Sequence, residues 1–310
     1  MKLQKILSKF QKLHSREIDL SLDRIRILMS DLGNPQDKIK CIQVCGTNGK
    51  GSTISFLRSI LKEANYKCNI FTSPDVISIN ERFVYNDEMI GDEDLANLLN
   101  EVHEVNNGKP LTYFEALTAG FFLGCMKYQD NIVLAEFGLF GRGDAVNILK
   151  KNLANCISSI SYDHLDWLPE NDRTIERIIY EKTSSLLNSN IIVAKQSSNK
   201  ITECIKKNIS SNPANKIFYG EDYNFVLKEN DFFFYEDQYG SLKIPKPSIK
   251  GDFQLENAST AIASLRTLRN LNIKDKHIIE GVKKAHNPAR LEEIKEGKLK
   301  DLVKDNMLIC

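Results

Sequence analysis

Short apolar runs alternate with stretches of helical spacing along most of the chain. The runs Cys41–Val44, Cys68–Phe71, Ile132–Phe137, Cys156–Ile160 and Ile191–Ala194 are rich in Ile, Val, Leu, Cys and Phe. Such runs read as strands buried on both faces. Between them, Ser52–Leu61 sets Ile54, Leu57, Ile60 and Leu61 on one helical face, and Leu111–Tyr128 is a second helical segment rich in Phe and Ala. Leu3, Ile6, Leu7, Phe10 and Leu13 predict an amphipathic first helix. Ala258, Ala261, Ile262 and Leu265 predict another from about Leu255 to Asn270. Strands alternating with helices predict an α/β fold with a mostly parallel sheet covered on both faces. From Lys216 to Pro247 the texture turns aromatic, β-branched and turn-rich, which predicts a small antiparallel segment. The last residues, "KDNMLIC", begin like a buried strand and stop at Cys310. That pattern predicts a chain cut short there; the other reading is an edge strand that happens to be terminal.

The 310 residues are 42% hydrophobic with a net charge of +1. That is enough for one large domain or two smaller ones. The balanced charge gives no field pointing to nucleic acid. The seven cysteines form no disulfide or zinc pattern, so reduced thiols in a cytoplasm are expected. The N-terminal segment has lysines every few residues and no long apolar run, so no secretory signal and no membrane span are expected.

One stretch carries recognisable chemistry. "CIQVCGTNGKGSTISFL", Cys41 to Leu57, reads as strand, glycine-rich turn and helix. Such a turn points backbone N–H groups at one spot, and the helix N-terminus and Lys50 add positive charge. That suits a phosphate, with Ser52 or Thr53 offering a hydroxyl towards Mg²⁺. The spacing is not the G-x-x-x-x-G-K-[ST] form. The alternative is a structural turn with a solvated lysine. Elsewhere, Glu136 ends an apolar strand, where a carboxylate is costly to bury without a cation; it could also be an exposed strand-end acid. Residues alone leave His164 structural or solvated, Ser73 in a Ser-Pro turn, Lys182 a solvated helix charge, and Tyr113 and Phe114 core residues.

"GTNGKGS" resembles the phosphate loop of the Mur ligase superfamily, and the chain resembles its folylpolyglutamate synthase/dihydrofolate synthase family. The match continues in order through "LHSREIDLSLDRI" (13–25), "TSPDV" (72–76), "LTYFE" (111–115), "AEFGLFGRGDAVN" (135–147), "DHLDWL" (163–168), "EKTSSL" (181–186) and "NPARLE" (287–292). Departures from the family pattern are Asp75 and Phe253 for His, Phe140 for Gly, Gly143 for Leu, and Thr183-Ser184 for Ala-Gly.

The resemblance implies a Mur-ligase-type central ATPase domain over residues 1–290. It makes 291–310 a linker and first strand of a C-terminal Rossmann-like glutamate ligase domain that is otherwise missing. It implies ATP-dependent addition of L-glutamate to dihydropteroate, and to folates, through an acyl phosphate. ATP and Mg²⁺ are the implied cofactors, with small-molecule substrates, no nucleic acid or membrane partner, and a monomer. Catalysis would fall to Lys50, Glu136, His164 and Lys182. ATP would meet Gly46, Thr47, Asn48, Gly49, Lys50, Gly51, Ser52, Asn257 and Arg290. Mg²⁺ would be held by Ser73, Glu136 and His164. The pterin would meet Asp19, Leu20, Ser21 and Leu22, then Thr112, Tyr113, Phe114 and Glu115, then Gly143, Asp144 and Ala145. Lys182 would be carbamylated. Two alternatives are another Mur-type amide ligase, and a fragment that binds nucleotide or pterin with little turnover.

Overall fold

The computed structural model describes residues 2–14, 19–229 and 231–288. Its centre is an eight-stranded sheet built from β1 (Lys40–Cys45), β2 (Cys68–Phe71), β3 (Phe83–Tyr85), β4 (Glu88–Met89), β5 (Ile132–Glu136), β6 (Ala154–Ile157), β7 (Asn190–Val193) and β8 (Lys216–Phe218). The order is β4-β3-β2-β5-β1-β6-β7-β8. Six strands run parallel; β3 and β4 extend one edge antiparallel.

Burial on both faces explains the apolar runs. Along β1, Cys41 and Cys45 enter one core while Ile42 and Val44 enter the other. The first core is closed by helices α1 (Lys2–Phe10), α2 (Asp23–Asp31), α4 (Asp92–Asn106), α5 (Tyr113–Gly124), α6 (Ile175–Thr183) and α7 (Asn199–Ile209). The second is closed by α3 (Lys50–Glu63), α8 (Phe253–Thr267), α9 (Asp275–Lys284) and a three-stranded antiparallel sheet of β9 (Tyr223–Glu229), β10 (Phe232–Asp237) and β11 (Gly240–Pro245). One polar residue sits inside β1. Gln43 is buried, donates to Val146 O (2.9 Å) and accepts from Asn152 (2.7 Å), so its amide is satisfied.

Two of the boundaries that differ from the sequence pattern change how the sheet is built. The aromatic region expected to be antiparallel from Lys216 begins with β8, which pairs parallel with β7; the antiparallel sheet starts at Tyr223. The expected strand at Cys156–Ile160 is β6 at Ala154–Ile157. Beyond it Ser158 donates to Cys45 O through both its N–H (2.8 Å) and its hydroxyl (3.0 Å), which draws the chain alongside the end of β1. Among the described residues the cysteines are free, and no helix is long and apolar enough to cross a membrane. Arg290 and the expected strand within 291–310 lie outside the described residues.

Candidate functional site

β1 occupies the middle of the sheet, between β5 and β6, and its C-terminal end opens into the turn before α3. Ligands of open parallel sheets gather at this edge. Gly46 and Gly49 have φ of 135° and 87°. A Cβ on Gly46 would run into the Ser158 hydroxyl, and one on Gly49 into the side-chain oxygen of Asn257. Glycine is therefore required twice, by backbone conformation and by space. The turn is tied down by Thr47 N–H and Asn48 N–H, which both donate to Ser159 O (2.9 and 3.1 Å). The free N-terminus of the fourteen-residue α3 and Lys50 then face the same space.

That space is a cleft of about 620 Å³. Thr47, Asn48, Gly49, Lys50, Gly51, Ser52, Ser73, Glu136, His164 and Asn257 all line it. Lys50 Nζ lies 3.1 Å from Thr47 O and 3.7 Å from Glu136 Oε1. Glu136 is only 5% exposed, and its other oxygen accepts the Ser73 N–H (3.3 Å). It is thus a buried acid beside a cation, not an exposed strand end. Of the two candidate hydroxyls, Ser52 lines the cleft, whereas Thr53 is fully buried with no partner for its hydroxyl among the described residues. His164 Nε2 is 3.1 Å from Asp163, and burial lowers its pKa, which favours a neutral imidazole.

Lys182 is the largest departure from the residue-level reading. It is 1% exposed rather than solvated. Its ammonium donates to Gly46 O (3.0 Å) and Leu139 O (2.8 Å) and lies over the Phe140 ring, 5.4 Å from its centre. Burial, and then the charge of Lys50, lower its pKa to about 8. Arg142 grips Glu181 through two hydrogen bonds (2.8 and 2.7 Å) and so fixes the 138–144 loop against α6.

A second cavity, about 250 Å³ and largely apolar, adjoins the cleft. Asp19, Leu20, Thr112, Phe114, Glu115, Gly143, Asp144 and Ala145 line it; Ser21, Leu22 and Tyr113 do not. Gly143, at φ 79°, is needed because a Cβ would come within 2.9 Å of Leu20 O. Glu115 caps α5: its Oε2 accepts from Thr112 N–H (2.7 Å) and Arg24 Nε (3.1 Å), while its Oε1 is buried with no partner among the described residues. Asp144 accepts from Leu139 N–H (2.9 Å) and Val146 N–H (3.0 Å), yet burial raises its pKa to about 6. Ser73, Pro74, Gly138 and His164 belong to the walls of both cavities.

Sequence reasoning passed over Arg82 and Trp167 in the second cavity, and Ser159 and Glu256 in the cleft. Trp167 had a signal in its place beside His164, and Phe253, at the cleft mouth, in its departure from the family pattern. The others had none.

Residues 44–265 match the Mur ligase middle domain. The dihydrofolate synthase/folylpolyglutamate synthase of Bacillus subtilis is 34% identical over 300 residues, covering 89% of this chain and 66% of that protein. A solved structure of Escherichia coli FolC in complex with DHPP and ADP aligns with a TM-score of 0.84 at 30% identity, covering 95% of this chain and 68% of that one. The bifunctional folylpolyglutamate synthase/dihydrofolate synthase of Yersinia pestis, solved with AMPPNP and an Mn ion, aligns with a TM-score of 0.84 at 26% identity, covering 95% and 69%. The chain spans about two thirds of the length of these relatives.

Proposed function

The chain belongs to the Mur ligase family and, within it, to the dihydrofolate synthase/folylpolyglutamate synthase group, and from that membership we propose that it joins L-glutamate to dihydropteroate, and to folates, at the expense of ATP. The observation that carries the reading is the shared wall. A phosphate cleft and an apolar, acid-lined cavity meet at Ser73, Pro74, Gly138 and His164. A ligand filling the cavity can therefore present one end to a nucleotide's terminal phosphate.

ATP and Mg²⁺, when bound, supply the transferable phosphoryl group and the neutralisation of its charge. The residues fit that load. Glu136 and the Ser73 hydroxyl are hard oxygen donors, and His164 offers a neutral nitrogen, a less usual partner for Mg²⁺. Lys50 and the loop N–H groups from Gly46 to Ser52 hold the β- and γ-phosphates, with Asn257 and Arg290 as further nucleotide contacts. In the cavity, Phe114 stacks on the pterin while the free Glu115 oxygen and Asp19 accept from its N–H groups. The acceptor carboxylate attacks the γ-phosphorus and ADP leaves; the glutamate amine then attacks the acyl carbon and expels phosphate. Lys182, a carbamate in this reading, places a second negative group behind Gly46. The protein works as a cytoplasmic monomer.

ADP release that requires both dihydropteroate and glutamate is the expected result. ATP turnover indifferent to both would overturn the reading.

A further inference from the structure

Arg82 closes a short helical turn, Ile79–Arg82, at the start of β3, and its side chain lines the pterin cavity. Its Nε donates to Asp75 at 2.5 Å. Its two terminal amino groups make no hydrogen bond to any described residue. The guanidinium is nonetheless mostly enclosed, with 16% of the side chain exposed. The segment between the two is tied to the helical turn by Glu81. The Glu81 carboxylate accepts the N–H groups of Val76 (2.8 Å), Ile77 (3.0 Å) and Ser78 (3.0 Å), and those bonds lower its pKa.

The other ionisable groups on the cavity wall are Asp19, Glu115, Asp144 and His164. Three are acids, and the imidazole is already engaged by a carboxylate, its Nε2 lying 3.1 Å from Asp163. A flat heterocycle rich in N–H donors suits such a wall, but a carboxylate does not, unless it meets the one cationic side chain there among the described residues. That side chain is Arg82. Its planar fork has donors to spare, and it matches a carboxylate through two parallel hydrogen bonds. Asp75, its anchor, follows Ser73-Pro74, which belongs to both cavities, and Ser73 N–H reaches Glu136.

We propose that Arg82, held by Asp75, is a positioning residue that takes the carboxylate end of the acceptor and turns it towards the nucleotide cleft. The inference rests on the ligase reading above. The carboxylate is that of the aryl ring in dihydropteroate or that of the glutamate in a folate; both present the same group.

Calorimetric binding of dihydropteroate, a reduced folate monoglutamate and carboxylate-free hydroxymethyl-dihydropterin to the wild type, Arg82→Gln, Arg82→Lys and Asp75→Asn tests it. Arg82→Gln should weaken binding of one or both carboxylated ligands about tenfold and leave the carboxylate-free pterin unchanged. Arg82→Lys should recover part of the loss, and Asp75→Asn should fall between. Loss for dihydropteroate alone assigns the aryl carboxylate; loss for the folate alone assigns the glutamate one. Unchanged binding of both carboxylated ligands, or an equal loss for the carboxylate-free pterin, overturns the inference. A wild type that binds none of the three overturns the ligase reading beneath it.

Discussion

The ammonium of Lys182, on α6, donates to the main-chain oxygen of Gly46, the first residue of the phosphate loop, at 3.0 Å. A helix on one face of the sheet thereby reaches the turn that leads to the helix on the other face. With its pKa lowered to about 8 by burial and by Lys50, a far larger share of this lysine is a free amine near neutral pH than of an ordinary lysine, whose pKa is about 10.4. The free amine is the form that adds CO₂. Labelled bicarbonate should give one carbamate carbon signal in the wild type and none in Lys182→Met. Equal signals in the two proteins would rule Lys182 out as the modified residue.

Lys50 and Glu136 face each other at 3.7 Å across the cleft. Glu136→Gln should lower kcat by roughly a hundredfold or more and raise the divalent-ion concentration needed for half-maximal rate. Lys50→Met should weaken nucleotide binding without moving dihydropteroate binding. Steady-state kinetics with metal titration, and separate binding of each substrate, check both.

Gly49 combines a left-handed φ with a Cβ direction blocked by Asn257. Gly49→Ala should cost about 1–2 kcal/mol of backbone strain and displace the Asn257 amide. Nucleotide affinity should drop about tenfold or more while pterin binding holds, as fluorescence titration with each ligand would report.

Asp144 is an acid whose folded pKa is raised to about 6 from 3.8 by burial. A raised acid binds more protons folded than unfolded between those values, so stability falls as pH rises through the window. The penalty is absent below 3.8 and complete above about 6. Denaturant titrations at pH 4 and pH 7 should show the wild-type minus Asp144→Asn difference moving in the variant's favour by about 2 kcal/mol. A difference independent of pH would contradict the assignment.

The parts of the fold legible in the sequence are those whose cause is local. β1 and β2 announce themselves because both faces are buried, and the turn after β1 because its glycines and lysine have few other uses. The β3–β4 edge is illegible: it has a three-residue and a two-residue strand, joined through Asn86 and Asp87 at positive φ. Lys182 reads as solvated because the carbonyl it meets is far away in the chain, and nothing on α6 signals that partner. Phe114 reads as core from its spacing, yet it lines a cavity, because the ring of a core residue and of a ligand platform share one pattern. The acids of the second cavity were placed by family resemblance alone. Arg82 had no sequence signal, since its importance depends on which other charges the fold brings to the same wall.

In the ligase reading the acceptor carboxylate in one cavity meets the terminal phosphate in the other. Turnover of dihydropteroate carrying heavy oxygen in its carboxylate, with ATP, Mg²⁺ and glutamate, tests it directly. One labelled oxygen per turnover should appear in the released phosphate, read by phosphorus NMR. Released phosphate without the label, alongside formed dihydrofolate, would contradict it.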